Sequence, residues 1–165
     1  MKRQSGFTLI EMLIVIAIIL IIAAITIPSL TNMKMNANET SAVASVRAIN
    51  QMELAYQAAY GGYAPSLGNL GGADPCTKSA ATACLLDQSL AGGVKAGYNF
   101  AAVGNNPASG MSTGYVVGAA PVIFDRTGKR LFCSTDKNVI RADLNDGGLT
   151  VPPDAAQCAG FSALQ

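Results

Sequence analysis

From Met12 to Ile25 the chain holds no charged or strongly polar side chain. With Phe7–Glu11 and Thr26–Ile27 the run reaches about 21 residues, roughly 30 Å of helix at ~1.5 Å per residue, which matches the hydrocarbon core of a bilayer. The segment can therefore cross a membrane. Its odd member is Glu11, because a charge near the centre of such a helix costs on the order of 2.5–3.5 kcal/mol. The run offers no Lys, Arg or His to offset it. A partner must come from elsewhere, and one candidate is a new α-amino group made by cutting the chain before Phe7. On one helix that amine lies about 6 Å along the axis from Glu11. On a neighbouring chain it can meet Glu11 directly, which would make the carboxylate a device for registering subunits.

Lys2-Arg3-Gln4-Ser5-Gly6 followed by Phe7-Thr8-Leu9-Ile10-Glu11 resembles the class III signal peptide of type IV pilins and type II secretion pseudopilins. Glycine stands at the cut, phenylalanine comes next, and glutamate is the fifth residue of the mature chain. The resemblance implies cleavage between Gly6 and Phe7 by a prepilin peptidase, N-methylation of Phe7, and a salt bridge from Glu11 to a neighbour's Phe7 amine. Pro28 sits where the family often carries a helix-kinking proline. The implied fold is α+β and type IV pilin-like, a long kinked N-terminal α-helix packed on a small antiparallel β-sheet. The implied job is that of a structural subunit in a helical filament. Its partners would be other copies of itself, the prepilin peptidase, an inner-membrane assembly platform, and the membrane before assembly. A pseudopilin of a type II secretion system shares this fold with a different task. A membrane-anchored extracytoplasmic binding module is a third reading, but a mere anchor has no use for Glu11.

The expected organisation is a leader over residues 1–6, a membrane or filament-core half-helix over 7–28, an amphipathic half-helix over 29–60, and a C-terminal β-domain over 61–165. The leader carries two positive charges and no negative one, so the positive-inside rule keeps it cytoplasmic and places residues C-terminal to the span outside. The resemblance then implies a single-pass inner-membrane precursor and an extracellular pilus as the assembled form. An ordinary secretory signal is the competing account. It needs a shorter apolar core and a small-residue cleavage site, whereas Ala23-Ala24-Ile25-Thr26-Ile27-Pro28 places isoleucines there.

Ser29–Tyr60 holds neither Gly nor Pro, so Pro28 is expected to bend the helix instead of stopping it. Ala42, Val46, Ile49, Met52, Tyr56 and Ala59 form an apolar stripe, with Glu39, Arg47, Asn50, Gln51 and Gln57 mostly off it. Gly61-Gly62 ends the helix. Strands are expected over Gly97–Val103, Tyr115–Phe124 and Lys129–Ser134, with a short fourth over Asn138–Ala142. Gly104–Gly110 and Asp125–Gly128 read as turns. The links are too short for crossover helices, so an antiparallel meander is the economical topology.

Four cysteines, Cys76, Cys84, Cys133 and Cys158, fall in the part expected outside the cytoplasm, where disulfides persist. Of three possible pairings, Cys76–Cys84 with Cys133–Cys158 is preferred because both close short loops. The second also resembles the disulfide-bounded C-terminal loop of type IV pilins. A zinc site is the rival, but no C-x-x-C pair is present. Net charge of +1 and 13% charged residues leave little pull on nucleic acid. Without histidine, a Walker loop or telling carboxylate pairs, the chain reads as no enzyme and needs no cofactor. A weak calcium candidate remains at Asp143, Asn145 and Asp146, but glycine stands where an EF-hand wants a ligand, and a solvated turn fits better. Asn38-Glu39-Thr40 is a glycosylation sequon by chance, inside a helix. Tyr56, Tyr60 and Tyr63 are read as helix-to-sheet packing.

Overall fold

The structure, a computed structural model, describes residues 6–105 and 112–164; the side chain of residue 28 is outside that set. The leader residues 1–5, the Pro28 side chain and most of the loop expected over Gly104–Gly110 therefore lie outside the described residues. Helix α1 (Leu9–Tyr60) is continuous through residue 28, so the helix does not stop at the proline. It ends where Gly61 takes φ +83° and its N–H donates to the Gln57 carbonyl at 2.8 Å. That left-handed conformation is one an L side chain adopts only under strain.

The chain divides into two compact units, Met1–Lys34 and Met35–Gln165. In the first, every described side chain of residues 9–34 is exposed except Ala23, which is half-buried. The second unit holds the rest of α1 and a sheet. Its strands β1 (Val94–Lys95), β2 (Tyr98–Asn105), β3 (Gly114–Pro121), β4 (Leu131–Thr135), β5 (Arg141–Asp143) and β6 (Ser162–Ala163) lie side by side in chain order. All neighbours are antiparallel, the longest pairing running from Tyr98↔Pro121 to Asn105↔Gly114. This is the α+β meander expected of the sequence, with two short edge strands added.

The strand boundaries shift from those expected: β2 runs to Asn105 and not Val103, β5 starts at Arg141 and not Asn138, and two further shifts have a local reason. β3 stops at Pro121 and not Phe124, because Val122 turns its N–H to Gly97 O at 2.9 Å. β4 starts at Leu131 and not Lys129, because the N–H groups of Lys129 and Arg130 are taken by Glu39 Oε1 at 2.9 and 3.2 Å. Short helices α2 (Leu67–Leu70), α3 (Gln88–Ala91) and α4 (Ala155–Gly160) were not expected from the sequence. α4 is opened by a reciprocal cap, Asp154 Oδ1 accepting from Gln157 N at 2.8 Å and Gln157 Oε1 from Asp154 N at 3.0 Å.

The buried face of α1 runs Met35, Glu39, Ala42, Val46, Ile49, Glu53, Tyr56, in steps of four and three. Ala42, Val46, Ile49 and Tyr56 pack on Tyr98, Phe100, Tyr115, Val117 and Phe132 from the sheet. The expected stripe needs correction. Ala59 is exposed, while Glu39 and Asn50, placed mostly off it, are buried. Counting apolar residues alone passes over two glutamates that occupy core positions.

Those polar residues tie the helix to the sheet. Asn38 Nδ2 donates to Thr127 O at 2.8 Å. Glu39 Oε2 accepts from Arg130 Nε at 2.8 Å. Burial works to raise the Glu39 carboxyl's pKa, but the Lys129 and Arg130 N–H donors and the guanidinium outweigh it and hold it below the usual range. Asn50 Nδ2 donates to Ser134 Oγ at 2.8 Å, and its Oδ1 accepts from Tyr115 OH at 3.2 Å. Glu53 Oε2 accepts from Ala64 N at 2.9 Å, and Tyr56 OH donates to Ala80 O at 2.6 Å.

The opposite face of β3 and β4 is closed by Val116, Cys133, Cys158 and Phe161. The C-terminal segment lies so near that a Cβ on Gly118 would stand 2.5 Å from Pro153 O. Disulfides join Cys76 to Cys84 and Cys133 to Cys158, closing separations of 8 and 25 residues. Both sulfurs of the second pair belong to fully buried residues. We expect Cys133→Ser with Cys158→Ser to lower stability by about 2–5 kcal/mol, and Cys76→Ser with Cys84→Ser by less, because the shorter loop constrains the unfolded chain less. Thermal melts of the two double variants check the order.

Candidate functional site

The residues singled out by the sequence converge on the start of α1. Thr8, just before the first helical residue, accepts the opening backbone bond from Met12 N at 3.4 Å. Its Oγ1 accepts from Glu11 N at 3.3 Å, while Glu11 Oε2 accepts from Thr8 N at 3.0 Å and Thr8 Oγ1 at 2.6 Å. This is a reciprocal capping box, Thr-x-x-Glu, which satisfies donors that a helix start leaves unpaired. The sequence reading placed Glu11 but missed Thr8. The signal is in the sequence, a threonine three residues before a glutamate at the edge of an apolar run.

Glu11 is therefore oriented by bonds within its own chain. Its charge also sits in the first turn, where the helix dipole favours an anion by about 0.3–1 kcal/mol. Around it Phe7, Leu9, Ile10 and Met12 are 56–83% exposed. The helix is long and apolar enough to cross a membrane. The site is thus a positioned carboxylate at the end of an uncovered apolar helix. It suits docking, and among the described residues no group of three His, Cys, Asp or Glu gathers there.

Gly6 is instructive for what surrounds it. A Cβ built there meets nothing within 4 Å, and its backbone is outside the left-handed region. Among the described residues, no contact requires glycine at position 6.

Residues 1–27 match the prokaryotic N-terminal methylation motif. This is a prepilin-type N-terminus. Over 57 residues, 34% of this chain and 44% of the relative, the sequence is 46% identical to the type IV wide pilus major component PilA4 of Thermus thermophilus. Over 49 residues, 30% of this chain and 32% of the relative, it is 51% identical to each of two fimbrial proteins of Pseudomonas aeruginosa. The chain thus covers less than half the length of these curated relatives. No solved structure matches. The long helix with one antiparallel sheet agrees with the type IV pilin arrangement that the motif implies. Pilus and fimbrial relatives do not favour the pseudopilin reading.

The calcium candidate is differently placed. Asp143 Oδ1 accepts from Asn145 N at 2.7 Å. Both ends of the Asn145 amide are engaged by Leu149, Nδ2 donating to its O at 2.9 Å and Oδ1 accepting from its N at 2.7 Å. The buried Asn145 side chain pins a tight loop, and among the described residues no group of three His, Cys, Asp or Glu gathers there.

Proposed function

We propose that this chain is the structural subunit of a type IV pilus-like filament, made as a single-pass inner-membrane precursor and cut between Gly6 and Phe7. The observation that carries the reading is the pairing of an uncovered apolar helix with a positioned Glu11 inside a prepilin-type motif. An apolar span leaves lipid only when similar spans replace lipid around it. A bundle of identical helices does that, with α1 residues forming the filament core. Cleavage frees the Phe7 amine, which is then methylated and retains a positive charge. Glu11 selects the register, because a helix docked out of step would leave its carboxylate and a neighbour's ammonium both unpaired in an apolar setting. The prepilin peptidase and an inner-membrane assembly platform are the other partners, and the Met35–Gln165 unit, with its two disulfides, faces the exterior.

Mechanical shearing of intact cells tests the assignment. Antibody to residues 35–165 should find the protein in the sheared, sedimentable filament fraction and in thin extracellular fibres by electron microscopy. Confinement to the membrane fraction in cells that make the protein abundantly would contradict the pilus reading. A periplasmic or merely tethered role would be left.

A further inference from the structure

Glu53 sits where α1 hands the chain to the sheet, and it is fully buried. Oε2 accepts one bond, from Ala64 N at 2.9 Å; Oε1 has no partner among the described residues. None of the ion pairs among the described residues includes it. The titratable groups that face it are phenols, Tyr56 from α1 and Tyr115 from β3. Tyr60 stands against Tyr56 with ring centroids 4.6 Å apart, Tyr63 against Tyr115 at 4.8 Å, and Asp136 faces Tyr115 from the turn after β4. No cation is in this set. A carboxylate with one donor and no counter-charge is a poor occupant of such a site, whereas a neutral carboxyl is tolerable.

Besides the Tyr63–Tyr115 ring contact, two backbone bonds among the described residues tie the segment that Glu53 holds to the strands. Tyr63 N donates to Ser112 O at 2.9 Å, and Gly104 N to Pro65 O at 3.2 Å. Tyr63 and Ala64 are buried, so releasing them uncovers the end of the core.

We propose that Glu53 is a proton-operated latch: protonated, it fastens the segment Tyr63–Ala64 to the end of α1, and ionised, it loosens that segment from the core. Burial pushes its pKa up to about 7, donation from Ala64 N opposing. In the released or unfolded chain the group returns to its ordinary value of 4.5. The folded, latched state therefore binds the extra proton between pH 4.5 and about 7, and stability falls as pH rises through that window and levels off above it. The chain has no histidine, so no side chain with an ordinary pKa near 6.5 confuses the interval.

The test is hydrogen exchange, read by mass spectrometry on the full chain in detergent at pH 5, 6 and 7 and corrected for intrinsic rates. For peptides covering residues 61–66 the latch predicts protection falling roughly 10- to 40-fold from pH 5 to pH 7. Glu53→Gln keeps the acceptor for Ala64 N and cannot ionise, so its protection should not change with pH. Equal pH dependence in native and Gln chains would overturn the proposal. If the Gln chain does not fold, the melting temperature of the native chain decides. A fall of about 5–10 °C from pH 5 to pH 7 supports the latch, and a constant value overturns it.

Discussion

Glu11→Val is expected to abolish filaments while leaving the precursor in the membrane at native levels. Removing a charge from an apolar span eases insertion, since each buried charge costs on the order of 2.5–3.5 kcal/mol near a helix centre. The local helix start loses the glutamate half of its capping box while Thr8 Oγ1 still accepts from the residue 11 N–H, a loss of at most roughly 1 kcal/mol, too little to unravel a 52-residue helix. Assembly loses far more. A neighbour's Phe7 ammonium left without its carboxylate in an apolar bundle costs about 3–5 kcal/mol, or roughly 10²–10⁴-fold in each association step. Filament yield after shearing and membrane-fraction abundance are the two readouts. Glu11→Gln sharpens the result. Glutamine still completes a capping box with Thr8, so helix start and charge are separated. The Gln chain should insert normally and fail to assemble as the Val chain does. Native filament yield from either variant would contradict subunit registration by Glu11.

The second large effect is on maturation. Gly6→Val should accumulate as full-length precursor with Met1–Gly6 still attached, visible in the intact mass of the membrane fraction. Among the described residues nothing opposes the valine, because a Cβ at that position meets none of their atoms within 4 Å. A block therefore reports a peptidase that cannot accept the branched side chain, not a misfolded substrate. The uncut chain has its Phe7 nitrogen in a peptide bond, so it offers no ammonium to Glu11 and should not enter filaments. Mature-length protein from the Val chain would refute cleavage between Gly6 and Phe7.

Much of the fold was legible because its signals are local. Ser29–Tyr60 has helix-forming composition and ends at a glycine that takes positive φ. Tyr98–Asn105 alternates buried and less buried side chains, as a half-covered strand does. Asp125–Gly128 is a turn between two strands. What escaped depends on contacts between distant residues. β1 and β6 are two residues each, too short to show a period, and exist only because a neighbouring strand offers bonds. Glu39 and Glu53 look like solvent-facing charges in sequence. They are buried because the Lys129–Arg130 turn and the Ala64 amide come to meet them, an encounter set by the tertiary fold. The turn at Asn145 was expected, but not that its side chain is buried with the amide closed on Leu149. At the candidate site the balance is reversed. Gly6, Phe7 and Glu11 stand out in sequence because their register against an apolar helix is fixed, and the structure adds Thr8 as the residue that orients the carboxylate.

The most direct measurement is the mass of the N-terminal tryptic peptide from sheared filaments. Trypsin should release residues 7–34 as one piece, since no Lys or Arg lies between Phe7 and Lys34. Subunit assembly through a processed helix predicts that this peptide begins at Phe7, carries one added methyl on its amino group, and is abundant in the sheared fraction. Filaments whose peptides still contain Ser5-Gly6-Phe7 would contradict it.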